Sequence, residues 1–252
     1  MVDQLDVGVL LGVMALAAAA ALTQSLSGFG FSLFIVPLLI PLVGAKEAVV
    51  LANMLGAFVN LITLTRMRAY VDWALGGTLL GGAVLGMPLG VAVLTLANPD
   101  LLQVLIALTV LASTVALWRG VQLHSIGYAG NVGAGFVSGI LSTSTSMWGP
   151  PVVLYLQGQG VPPVPFRATL GAYFLASATL ASVLFAISGR IAGSTLIFTA
   201  AGLPAIVAGW LGGYAVANRV DDATFRRIVI TVLITTSLVA LVTPLVRVTG
   251  LR

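Results

Sequence analysis

QSLSGFGFSLFIVP, running from Gln24 to Pro37, interrupts an apolar stretch with Ser25, Ser27 and Ser32, the glycine pair Gly28 and Gly30, and a proline. It sits within the 39 residues between Asp6 and Lys46, none of which is charged. A helix needs roughly 20 apolar residues to cross the hydrocarbon core of a bilayer. That run is therefore too long for one segment and long enough for two, and the break falls where glycine relaxes the backbone, near Ser27-Gly28-Phe29-Gly30. A counterpart, LSTSTSMWGPP from Leu141 to Pro151, lies further on, with Pro151 standing 114 positions after Pro37.

Composition sets the solvent. The 252 residues are 59% hydrophobic and only 7% charged, with a mean hydropathy of +1.13, too little polar surface to clothe a soluble globule. The expectation is an all-α polytopic membrane protein, with the bilayer as its main partner and residues 1–252 forming one membrane domain. The net charge of +4 is scattered through loops, which gives nucleic-acid binding no support. The chain has no cysteine and a single histidine, His124, so it holds no disulfide framework, thiolate metal site or multi-histidine centre, and nothing calls for a cofactor. The alanine run Ala17 to Ala21 suggests a signal peptide, but Asp3 and Asp6 stand where a basic leader belongs. The first apolar stretch reads as a mature membrane segment.

Charged residues punctuate the remainder. Ala48 to Thr65 is a third segment, Trp73 to Ala97 a glycine-rich fourth, and Leu101 to Trp118 a fifth, opened by the turn Asn98-Pro99-Asp100. Beyond Arg119 the plan returns. His124 to Arg167 holds a second broken pair, followed by Ala168 to Gly189, Ile191 to Asn218 and Ile228 to Val246. Pro37 matches Pro151 at an offset of 114, Ala48 matches Ala168 and Val71 matches Ile191 at 120, and Gly86 matches Gly209 and Gly90 matches Gly213 at 123. Two repeats follow, over about residues 7–120 and 124–247. Five crossings per repeat make the second enter from the opposite side, an inverted repeat whose broken or re-entrant helices meet near the midplane. With the amino terminus outside, Arg66, Arg68, Arg119, Arg167, Arg219, Arg226 and Arg227 fall inside, and Lys46, Arg190, Arg247 and Arg252 outside. The glycine-rich fourth and ninth segments can pack within one chain or between two, which leaves a homodimer open.

Non-helical backbone at membrane depth is tolerated where protein buries it or water lines it. A break at Gly28, Phe29 and Gly30 frees backbone N–H groups at the positive end of the next helix, a setting suited to an anion. In the second stretch Ser142, Thr143, Ser144, Thr145 and Ser146 supply hydroxyl donors, and Trp148 an indole N–H. The same residues serve equally for close packing, with hydroxyls turned onto their own backbone. Gln24, Ser27, Asn53 and Tyr173 join the candidate substrate-binding set as polar groups costly to face lipid. Asn60 lies on the same helical face as Asn53, where pore lining and helix-to-helix bonding are both open. Arg167 follows the rigid Pro162-Pro163-Val164-Pro165-Phe166 and is expected at the mouth of the second broken pair, Glu47 holding the equivalent place in the first half. His124 reads as juxtamembrane and Asp72 as a helix cap.

Enzyme chemistry finds no footing. HExxH, GxSxG, a pair of intramembrane aspartates and a Walker A lysine are all missing from the sequence.

Four stretches carry a family resemblance: SGFGFSLFIVPLL from Ser27, AYVDW from Ala69, LGMPLG from Leu85 and GWLGGY from Gly209. With the duplicated plan, they resemble the TauE/SafE sulfite exporter family across essentially the whole chain. The resemblance implies a multi-pass transporter of the bacterial inner membrane for a small anion, sulfite or organosulfonate-like. Gly28, Gly30 and Pro37 match the first family motif. The chain departs in the second half, where STSTSMWGPP replaces a more glycine-rich form. The resulting expectation is a secondary transporter, an exporter working by alternating access between the two breaks. A passive anion channel and a non-transporting scaffold or assembly protein are the competing classes.

Overall fold

The computed structural model describes residues 6–121 and 127–216. His124, the tenth segment Ile228 to Val246 and the arginines from Arg219 onward lie outside the described residues. Among the described residues the chain is helical throughout: α1 (Val7–Ser27), α2 (Phe31–Val43), α3 (Ala45–Met67), α4 (Trp73–Leu96), α5 (Pro99–Trp118), α6 (Tyr128–Thr145), α7 (Gly149–Gly158), α8 (Pro163–Ile187) and α9 (Gly193–Val216). Six stretches are long and apolar enough to cross a bilayer, namely α1, α3 with its 3-10 extension to Tyr70, α4, α5, α8 and α9. The chain is a polytopic membrane protein.

Helix boundaries follow local chemistry. Asp72 caps α4, its carboxylate accepting from the Leu75 N–H at 3.0 Å, and Asn98 caps α5 by accepting from Leu101 N–H at 2.7 Å, with Pro99 at the first helical position. Two starts lie earlier than the charge pattern suggests. Lys46 and Glu47 belong to the first turn of α3, and Arg167 to the second turn of α8. Charge marks where a chain leaves lipid, and helix persists beyond that point. Glu47 sits at the positive end of its own helix, and its Oε1 also accepts from Ser194 Oγ at 2.8 Å and Thr195 Oγ1 at 3.0 Å in the first turn of α9.

Both broken pairs are hairpins. A Cβ on Gly12, near the start of α1, would lie 3.1 Å from Leu42 at the end of α2, so α2 runs back beside α1. Likewise Tyr155 of α7 and Gln159, which caps its end, reach Gly127 O at 3.1 Å and Asn131 Oδ1 at 3.2 Å, at the start of α6. With 13 and 10 residues, α2 and α7 reach only about 20 and 15 Å at 1.5 Å per residue, short of a full crossing.

Glycine seams join the first half to the second. Cβ atoms at Gly82, Gly86 and Gly90 of α4 would collide with the carbonyls of Val132, Phe136 and Ile140 on α6, and ones at Gly135 and Gly139 with those of Leu79 and Ala83. A Cβ at Gly209 of α9 would collide with the Ala18 carbonyl of α1, and one at Gly213 with Ser25 Oγ. Lipid provides no hydrophobic drive between helices, so close backbone approach of this kind holds them together. The glycines at 82, 86, 90, 209 and 213 are thus spent within one chain. Arg66 adds a cation–π contact, its guanidinium 4.8 Å from the Trp210 ring centroid.

Candidate functional site

Each hairpin turns at a left-handed residue. At the first tip Gly28 (φ 81°) closes α1, its N–H donating to Gln24 O at 2.7 Å, and Gly30 (φ 103°) opens α2. At the second tip the same duty falls to Ser146 (φ 60°), the one non-glycine residue with positive φ among the described residues. That conformation costs a side chain of order 1–3 kcal/mol. The Ser146 hydroxyl is buried and finds no partner there.

The two tips meet. Gln24, Gly30, Phe31, Ser32 and Leu33 form one wall of a cavity, and Met147, Trp148 and Gly149 with Phe174 of α8 form the other. Its empty volume is about 230 Å³ with the open solvent at its mouth included. It lies against the midpoint of α3, where a Cβ on Gly56 would be 2.6 Å from the Trp148 indole and 3.6 Å from the Phe31 ring. The amino-terminal ends of α2 and α7 therefore face one space, with no charged side chain in its wall.

Their donors differ. In the first turn of α2 the N–H groups of Ser32 and Leu33 have no carbonyl four residues back inside the helix. The Ser32 hydroxyl, also in the wall, is buried and unpartnered among the described residues. In α7 the first turn is Gly149-Pro150-Pro151, and since proline has no N–H, only Gly149 offers one there.

Buried polar chains brace both tips from behind. Asn60 Nδ2 donates to Gly56 O at 2.7 Å, Gln24 Nε2 to Asn60 Oδ1 at 2.7 Å, and Phe31 N–H to Gln24 Oε1 at 3.2 Å. At the other tip Tyr173 Oη donates to Ser138 Oγ at 2.8 Å, which donates to Trp148 O at 2.5 Å.

Of the residues singled out from sequence, Gln24, Gly30 and Trp148 line the cavity. Ser27, Gly28 and Phe29 build the first tip, with Ser27 Oγ bonded to Thr23 O and Phe29 O. Ser142, Ser144 and Thr145 donate to the carbonyls of Gly139, Ile140 and Leu141, and Thr143 to those of Met87 and Gly139, so these hydroxyls serve backbone rather than the cavity wall. Asn53 donates to Ala178 O and Ser182 Oγ, each at 2.9 Å, and joins α3 to α8. Arg167 is a correction. It reaches the first tip, not the second, donating from Nη2 to Leu26 O at 2.9 Å with its stem over Gly28, because the Pro162–Phe166 segment continues into α8 and carries it toward the end of α1. Phe31, Ser32 and Leu33, with Met147 and Gly149, lie inside the two quoted stretches but outside the candidate set, and they complete the wall with Phe174. The first three directly follow the glycine break, a signal that was there to use; Phe174 carries no polar mark. Among the described residues no group of three His, Cys, Asp or Glu side chains exists to hold a metal.

Residues 13–240 match the family described as Sulfite exporter TauE/SafE. The chain is 26% identical over 239 residues to "Probable sulfite/organosulfonate exporter TauE" of Cupriavidus necator, covering 89% of this chain and 91% of the relative. No solved structure matches.

Proposed function

The chain belongs to the sulfite exporter TauE/SafE family, and from that premise we propose that it carries a small oxyanion, sulfite or an organosulfonate, out through the cavity between the two hairpin tips. Membership makes it a membrane transport protein and not an enzyme. One observation carries the choice of cavity: the amino-terminal ends of α2 and α7 open onto the same uncharged space, with the unpartnered Ser32 hydroxyl in its wall. Helix N-termini and free hydroxyls bind oxyanions through donated hydrogen bonds. The absence of carboxylates from the wall removes repulsion. The walls are unequal, so the oxyanion head lies against α2 and any organic substituent against Met147, Trp148 and Phe174.

The transport cycle is alternating access by two inverted repeats with re-entrant hairpins, in the bacterial inner membrane. Supporting this reading, α1 pairs with α9 as α4 pairs with α6, through glycines at matched places in the two halves. Arg167 gathers anions at the cytoplasmic mouth beside the first tip.

Uptake and counterflow in proteoliposomes, with sulfite, thiosulfate, sulfoacetate, sulfate and small carboxylates, tests the reading with and without a proton gradient. Saturable movement of sulfite or sulfoacetate is the expected result. Conduction at channel rates favours a pore, and no movement of any anion removes the proposal.

A further inference from the structure

The buried chain behind the first tip has a polarity that its ends dictate. Gly56 O can only accept and Phe31 N–H can only donate. Between them Asn60 and Gln24 satisfy every contact in one arrangement, each amide nitrogen toward Gly56 and each amide oxygen toward Phe31. Turning Gln24 over would set two donors together at Phe31 and two acceptors together at Asn60. Both side chains are buried, Gln24 at 4% and Asn60 at 0% exposure, so water is not at hand to repair a mismatch.

We infer that Asn60 is a positioning residue: without touching the solute, it locks the Gln24 amide with its oxygen on the Phe31 N–H, and so fixes the first turn of α2 at the cavity. Gln24 lines the cavity and Asn60 does not. Gln24 Nε2 is held by Asn60 Oδ1, and Gln24 Oε1 in turn holds the Phe31 N–H. Asn60 thereby holds the first turn of α2, with the Ser32 hydroxyl in the cavity wall, in place for an oxyanion. The inference rests on the cavity being the anion site.

A double-mutant cycle on the full chain in proteoliposomes, read as sulfite KM and kcat, tests it. Asn60→Leu should raise KM about tenfold, as the released Gln24 amide lets the first turn of α2 shift, with kcat within about twofold. Gln24→Leu should raise KM at least as much, and the double variant should match Gln24→Leu alone, because Asn60 acts only through Gln24. Thermal unfolding of each purified variant checks folding, and Asn60→Ala replaces Asn60→Leu if the latter does not fold. Losses that multiply in the double variant, or an unchanged KM in the Asn60 variant, overturn the inference while leaving the transport reading intact. A wild-type protein that moves neither sulfite nor sulfonate overturns the reading of the cavity, and this inference with it.

Discussion

The Trp148 indole rests on Gly56, so closely that a methyl group at position 56 would stand 2.6 Å from its Cη2 and 2.9 Å from its Cζ2. Gly56 is the midpoint of α3 and Trp148 belongs to the second tip, so this contact sets how deeply that hairpin enters the protein. The ring is also held by Phe174, whose centroid is 5.9 Å away. Gly56→Ala must therefore push the indole toward the cavity. We expect anion uptake in proteoliposomes to fall at least tenfold and stability to drop by about 1–3 kcal/mol, the range for overpacking a filled core. Uptake near wild type with an unchanged melting temperature would show that Trp148 is free to move.

Tyr173→Phe removes one hydroxyl and little else. Ser138 would lose its donor from Tyr173 yet keep its own bond to Trp148 O. A stability loss of about 1 kcal/mol is expected from one buried hydrogen bond. Anion KM should rise as the second tip loosens, and detergent-phase thermal unfolding alongside uptake kinetics separates the two effects.

Ser146→Gly should act in the opposite direction on stability. Ser146 holds φ at 60° and keeps a buried hydroxyl unpartnered among the described residues. Glycine removes both penalties, and a gain of about 1 kcal/mol is expected. A fall in melting temperature would contradict this account of the tip.

The glycine seams predict a matched pair and a control. Gly86→Ala drives a methyl into the Phe136 carbonyl, and Gly209→Ala does the same at the Ala18 carbonyl. Each should destabilise by roughly 1–3 kcal/mol, and the effects should add, since the seams share no residues. Gly77→Ala, on the same helix as Gly86 but with nothing within 4 Å of the added atom, should be neutral or gain up to about 1 kcal/mol from helix propensity.

Much of this was readable in advance. Gly28, Gly30 and the Gly149-Pro150-Pro151 turn announce their breaks because backbone conformation at glycine and proline depends on the residue itself. The six long spans follow from the spacing of charges, since lipid excludes them. What stayed hidden depends on direction. Ser142, Ser144 and Thr145 each have a helix carbonyl three or four residues back within reach of the hydroxyl, and composition cannot say whether that carbonyl or the cavity wins. Arg167 is closer in sequence to the second tip, but its long side chain reaches across from α8 to the end of α1. Phe174 lines the cavity through the rotation of α8, a property of the assembled bundle.

The pairing of α1 with α9 also constrains how the protein is made. Ala18 meets Gly209, which stands 191 positions further along the chain. At about 5–20 residues per second, the ribosome takes roughly 10–40 s to reach that partner. Throughout this interval α1 stands in the membrane with its seam uncovered, so any chain cut short before α9 leaves an exposed helix face for quality-control proteases to recognise.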